Sequence, residues 1–193
     1  MKVYLASKSP RRSELLSQMG IKFDILPIDV PEEIEPNETA DMYSRRVTAD
    51  KLNAAWDKII NNQLITLPVL CADTEVVLDQ QILGKPNDYQ HAFSMLKSYS
   101  GRSHQVITSV GLKYFDQQKI AINRTTVHFA IMEDTEIHQY LSTGDYKDKA
   151  GGYGIQSSIS QFISRIDGCF YSVMGLPLNT VRELLMDMQF CDS

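Results

Sequence analysis

Apolar and polar positions along the chain divide it into short strands and amphipathic helices in rough alternation. Residues 3–6 (VYLA) are apolar and β-prone, and they run into Ser7, Ser9 and Pro10, residue types that open helices. Beyond Pro10, Leu15, Leu16 and Met19 share one face and Gly20 closes the segment, so the chain is predicted to open as strand, turn, helix. Residues 23–28 read as a second strand and the acidic, proline-flanked stretch 29–37 as a loop. A long helix is predicted from Thr39 to about Ile60, with Met42, Val47, Leu52, Ala55, Trp56 and Ile59 broadly on one side and Lys51 inside it. Residues 68–78 (PVLCADTEVVL) form a near-continuous apolar run, the pattern of a buried central strand, broken by Asp73, Thr74 and Glu75 where strand is expected to become turn. A short strand at 82–86 and a helix at 88–99 follow, closed by Ser100 and Gly101. Residues 104–115 and 120–132 read as a hairpin around a turn at 116–119. The remainder reads as a capped helix (134–142), a glycine-rich loop (144–156), short strands at 162–166 and 169–173, and a terminal helix to Met188.

At 193 residues and 43% hydrophobic, the chain has the material for one core, and the expectation is a single domain, 1–193, in two lobes. Its net charge of -5 gives no general footprint for duplex nucleic acid or an anionic membrane surface, so an anionic ligand must be caught by a few placed cations. Cys71, Cys169 and Cys191 lack the spacing of a metal ribbon or a disulfide framework, which points to a reducing compartment. No run reaches the 18 or more apolar residues of a membrane helix, and the first residues lack a secretory pattern; the cytoplasm is the expected location.

In Ser7-Lys8-Ser9-Pro10-Arg11-Arg12 a strand feeds a helix, so backbone N–H groups, hydroxyls and up to three cations can converge on an anion. An ordinary N-cap with solvated arginines is the competing reading. Asp73 and Glu75 break the most apolar stretch, where charge is costly unless paired, metal-bound or held at a cleft; otherwise Asp73 caps a turn and Glu75 faces solvent. With Glu32 and Glu33 from the acidic loop, these oxygen donors suit Mg²⁺ or Mn²⁺. Lys51 and Lys85 are candidate phosphate neutralisers. The three glycines before Ile155 and Gln156 let the backbone approach a planar ligand, whose edge the Gln156 amide can bond, although a plain flexible hairpin explains them too. No P-loop, GxGxxG or GxSxG pattern occurs, and the four histidines have no metal spacing.

Taken in order, ASKSPRR, Glu32, Lys51, CADTEVV, LGKP, Ser100-Gly101, DKAGGYGIQ and MGLPL resemble the Maf family of nucleoside triphosphate pyrophosphatases over nearly the whole chain. The resemblance implies an α/β fold of two lobes, with an elongated mixed sheet, flanking helices and a cleft, similar to the inosine triphosphate pyrophosphatases. It implies hydrolysis between the α and β phosphates with a divalent metal, and the form of the ADT and DKAG motifs looks like the branch acting on dTTP and UTP, modified pyrimidine nucleotides included. By motif, Asp73 matches the proton acceptor, Arg11, Thr74 and Gln156 the positions of base choice, and Arg12, Glu32, Lys51 and Lys85 the polar residues that handle phosphate and metal; Glu32 and Asp73 are the candidate metal ligands. The usual glycine after GIQ is Ser157 here. The family often forms dimers. Two further readings stand beside this one: the branch acting on 7-methylguanosine triphosphate, and a nucleotide-binding regulator of cell division that senses without turnover. A nucleic-acid-binding module fares worst, on the acidic charge.

Overall fold

The computed structural model describes residues 1–188, and Cys191 lies outside them. Strand β1 (Lys2–Leu5) sends Val3 and Leu5 to one side of the sheet and Tyr4 to the other, all buried. That two-sided burial is what parallel strands require. Helix α1 (Pro10–Gln18) starts with proline at its first turn, buries Leu15 and Leu16, and stops at Gly20, which has a left-handed φ of 71°. Strand β2 (Lys22–Ile25) lies parallel to β1 and stops short of the predicted 28, leaving Ile28 and Asp29 free to line a cleft.

Helix α2 (Ala40–Asn61) is capped by the Thr39 hydroxyl, which accepts from the Met42 N–H. Its buried face carries Tyr43, Val47, Leu52, Ala55 and Ile59, while Met42, expected on that face, is exposed. Strand β3 (Val69–Leu78) runs unbroken through the acidic triplet, so Asp73 to Glu75 sit within the strand and not at its junction with a turn. It turns through Asp79 and Gln80 into β4 (Gln81–Leu83). Helix α3 (Tyr89–Tyr99) follows, capped by Asp88. The hairpin of β5 (Ser103–Tyr114) and β6 (Gln117–Phe129) turns at Phe115 and Asp116, one residue earlier than predicted, with Tyr114 opposite Gln117. Helix α4 (Asp134–Ser142) has a capping box between Glu133 and Glu136, and β7 (Ile163–Asp167) completes the sheet.

Residues 169–173, predicted as strand, contribute instead to helix α5 (Phe170–Met174), which ends on Gly175 at φ 110°. Phe, Tyr and Val favour strands in the abstract, but the Gly175 C-cap and the burial of Ser172 select the helical turn here. Helix α6 (Leu178–Asp187) closes the described chain. Among the described residues no helix is long and apolar enough to cross a membrane, and Cys71 and Cys169 are free thiols.

The mixed sheet has the order β2-β1-β3-β5-β6-β7, with β4 paired to β3; β1, β2 and β3 are parallel and the rest antiparallel. Three apolar clusters flank it. Leu70 and Ala72 of β3 join one with α1 and α6, Val69 and Cys71 join a second under α2, and Val76 and Leu78 join the third with α3 and α4. The polar triplet therefore falls where the apolar clusters part.

Candidate active site

Strand β3 pairs with β5 from Val69 to Val77, but on its other edge β1 reaches only Val69 and Leu70, and β4 only Val76 to Leu78. Across the triplet that edge is bare among the described residues, and it forms the floor of a cleft of about 820 Å³. Strand alternation then assigns the faces. Asp73 and Glu75 look toward α2, and Thr74 looks toward α1 and α5.

On the α2 side, Lys51 Nζ lies 2.5 Å from Asp73 Oδ1 and 2.6 Å from Glu32 Oε1. Burial works to lower the Lys51 pKa, and the combined pull of Asp73 and Glu32 outweighs it and leaves the value raised. The ammonium is thus fixed between two carboxylates. Asp73 is 6% exposed and its Oδ2 is buried without a hydrogen-bond partner. Glu75 is 8% exposed, so it does not face solvent. Its pKa is driven well above the ordinary value, first by burial and then by the Asp73 carboxylate, because two like charges this close resist joint ionisation.

The donors suit a hard divalent cation. Mg²⁺ commonly takes one or two carboxylates and fills its other positions with water and phosphate oxygens. Asp73, with one unpartnered buried oxygen, and Glu32, half exposed across from it, fit that description. No group of three or more His, Cys, Asp or Glu side chains gathers into an all-protein cage among the described residues.

On the opposite face, Arg12 donates through Nε to the Gly175 carbonyl at 2.9 Å, through Nη1 to Ser7 Oγ at 3.3 Å and through Nη2 to Thr74 Oγ1 at 3.1 Å. The Thr74 hydroxyl also meets Thr108 Oγ1 at 3.0 Å. Thr74 is therefore occupied within the protein, and Arg12 ties α1, β3 and α5 together at the cleft wall. Lys8 lines the cleft with the two arginines and pairs with Asp29 at 2.7 Å. Arg11, Lys85 and Gln156 all line the cleft.

The segment carrying Gln156 is pinned by its backbone. Gly151 N–H donates to the Gly84 carbonyl at 2.9 Å, and Tyr99 Oη donates to the Gly151 carbonyl at 3.1 Å. Gly151 has φ 69°, and a Cβ there would lie 2.6 Å from Val76 Cγ2, so both conformation and space demand glycine. Lys149 also lines the cleft, its stem and the Gln156 side-chain amide oxygen both lying against Gly154. Sequence reasoning passed over Lys149 as a site residue although it stands inside the DKAGGYGIQ block. Tyr43 was missed as well, and its spacing of eight from Lys51, two turns along one helix face, was the available signal. Cys71 is no nucleophile: it is buried, its thiol pKa is pushed up to about 12 chiefly by burial, and it donates to the Thr48 carbonyl.

The chain is 46% identical to the dTTP/UTP pyrophosphatase of Photobacterium profundum, with 92% of each chain covered. It is 44% identical to that of Nitrosomonas europaea (95% of this chain, 92% of the relative) and 45% identical to that of Aliivibrio fischeri (95% and 96%). Among solved structures, the Ham1 protein of Staphylococcus aureus overlaps with a TM-score of 0.44 at 12% identity, over 67% of this chain and 72% of that one. The family model for Maf-like proteins matches residues 2–188, every described position but the first, and the chain belongs to that family.

Proposed function

We propose that this chain hydrolyses dTTP and UTP to the nucleoside monophosphate and pyrophosphate, acting in the cytoplasm on free nucleotides. The observation that carries the reading is the buried Asp73 with one unpartnered oxygen, facing Lys51 and Glu32 in a cleft that Arg11, Arg12, Lys85 and Lys149 also line. The names of the relatives agree with it.

Phosphoryl chemistry asks little covalent work of a protein and much positioning and charge neutralisation. Asp73 orients a water and takes its proton as the oxygen attacks the α-phosphorus; the bond from that phosphorus to the bridging oxygen breaks and pyrophosphate leaves. Lys51, Lys85 and Arg12 counter the charge on the phosphates. Glu32 and Asp73 would hold Mg²⁺ or Mn²⁺, which when bound supplies further neutralisation of phosphate oxygens. Arg11 and Gln156 face the base, and Thr74 contributes through its hold on Arg12.

The test is a panel of dTTP, UTP, CTP, ATP, GTP and 7-methyl-GTP with pyrophosphate release as readout. UTP and dTTP should lead. A preference for 7-methyl-GTP would move the chain to the other branch, and tight nucleotide binding without monophosphate would make it a sensor.

A further inference from the structure

The acidic loop that delivers Glu32 has little packing of its own. Residues 31–37 are exposed and carry no helix or strand, yet the Glu32 carboxylate, 49% exposed, stands 2.6 Å from Lys51 Nζ. An unsupported side chain on an exposed loop does not keep such a place. Two residues of α2 hold the loop by its backbone. Tyr43 Oη donates to the Glu32 carbonyl at 3.0 Å, and Arg46 Nη2 donates to the Glu33 carbonyl at 2.8 Å. They are three apart on the helix, so they present neighbouring groups to the same stretch. Arg46 is anchored in turn: Nε and Nη2 donate to the two oxygens of Glu38 at 2.7 and 2.8 Å, the Glu38 side chain is 6% exposed, and the guanidinium lies 5.5 Å from the centre of the Tyr43 ring. Lys51 follows on the same helix, facing the carboxylate whose backbone Tyr43 holds.

We infer that Tyr43 and Arg46 are positioning residues, whose grip on the Glu32 and Glu33 carbonyls sets the Glu32 carboxylate opposite Asp73 and so builds the divalent-cation site. The inference rests on the reading of Glu32 as a cation ligand. Arg46 lies outside the cleft lining, and the Tyr43 hydroxyl is spent on the Glu32 carbonyl. Their contribution is to the geometry of a ligand, the role that outer-shell hydrogen bonds play at metal sites generally.

The experiment is a titration of the full-length protein with Mn²⁺ in the presence of α,β-methylene-UTP, free Mn²⁺ being read from its EPR signal. The variants are Tyr43→Phe, Arg46→Lys, Glu32→Gln and the two doubles that add Glu32→Gln. Tyr43→Phe keeps the buried ring and removes only the donor; Arg46→Lys keeps the charge and loses the fork. Each single variant should weaken Mn²⁺ binding by about tenfold or more, and that loss should disappear once Glu32 is already glutamine, as a double-mutant cycle requires of residues acting through it. No loss in Tyr43→Phe, or an equal loss in the Glu32→Gln background, overturns the inference, since a general weakening of the fold would act in both backgrounds. If Arg46→Lys fails to fold, Tyr43→Phe decides alone. Should Glu32→Gln bind Mn²⁺ as the wild type does, the reading of Glu32 fails first and the clamp with it.

Discussion

Lys51 Nζ and Asp73 Oδ1 stand 2.5 Å apart, a bond that joins the long helix α2 to the central strand at the carboxylate whose other oxygen is left without a partner. The ammonium touches Glu32 as well, so it holds apart two carboxylates that would otherwise repel. Lys51→Met removes both this spacing and a cation for the phosphates. Turnover of UTP should fall by roughly a hundredfold or more at saturating metal, the scale of losing one preorganised charge at a reacting group. Steady-state pyrophosphate release checks it, and unchanged kcat would leave Lys51 a structural tie only.

Asp73→Asn is nearly isosteric and keeps an acceptor for Lys51 while removing the proton acceptor. General-base loss is worth about 10²- to 10⁴-fold, so kcat should fall within or beyond that range. Binding of UTP, followed by calorimetry, should change only severalfold, because the cations of the cleft remain. Near wild-type turnover would take Asp73 out of this role.

Some of this was legible in the sequence for a simple reason: two carboxyls in an apolar run contradict their surroundings, and the contradiction marks Asp73 and Glu75. The long helix and the β5–β6 hairpin were equally readable, since their periods persist over ten residues or more. Other features left no such trace. Tyr43 and Arg46 work through backbone carbonyls of another segment, and a carbonyl has no signature in a string of residue names. Thr74 lines the cleft, but that its hydroxyl is bonded to Arg12 and Thr108 follows from strand alternation and not from its name. Residues 169–173 carry β-prone side chains in a stretch too short for periodicity to speak, and tertiary packing chose a helix. Lys51 is one lysine on one helix until the fold brings Glu32 to it.

Gln156 is exposed on the cleft wall, and its amide offers both a donor and an acceptor to a base edge. A site built to bond the carbonyl and N–H face of uracil or thymine rejects a base that presents the opposite pattern. Gln156→Ala should therefore lower the ratio of kcat/KM for UTP over CTP by about tenfold or more, mostly by losing activity on UTP. An unchanged ratio would assign base choice to Arg11 or to the shape of the cleft.

Two glycines separate strain from crowding. Gly20 has φ 71°, and a Cβ there would meet nothing within 4 Å, so Gly20→Ala should cost only the backbone strain, about 1 kcal/mol, or roughly 2–4 °C in Tm. Gly151 has φ 69° and would add contacts of 2.6 Å to Val76 Cγ2 and 2.9 Å to Tyr99 Oη. Gly151→Ala should cost about 3 kcal/mol, or roughly 6–12 °C, and should also reduce activity because the segment ahead of Gln156 must move. Equal losses in the two variants would mean that the segment yields without cost.

His104 gives the protein a pH-dependent stability of predictable sign. The ring is buried among Tyr99, Phe129 and Tyr153, with Nε2 2.7 Å from Tyr153 Oη and Nδ1 without a partner. Burial first, and the nearby His128 second, depress its pKa from 6.5 to about 4. Between those values the unfolded chain binds the proton and the folded one does not. The stabilising contribution is thus complete above the unfolded value and is lost as pH falls toward the folded one, amounting to about 3 kcal/mol by the time both states are protonated. His104→Gln keeps a polar partner for Tyr153 and cannot titrate. Urea unfolding at pH 7 and pH 4.5 should show the wild type losing about 2–3 kcal/mol more than this variant over the interval, a gap that closes only if some other group bears the proton.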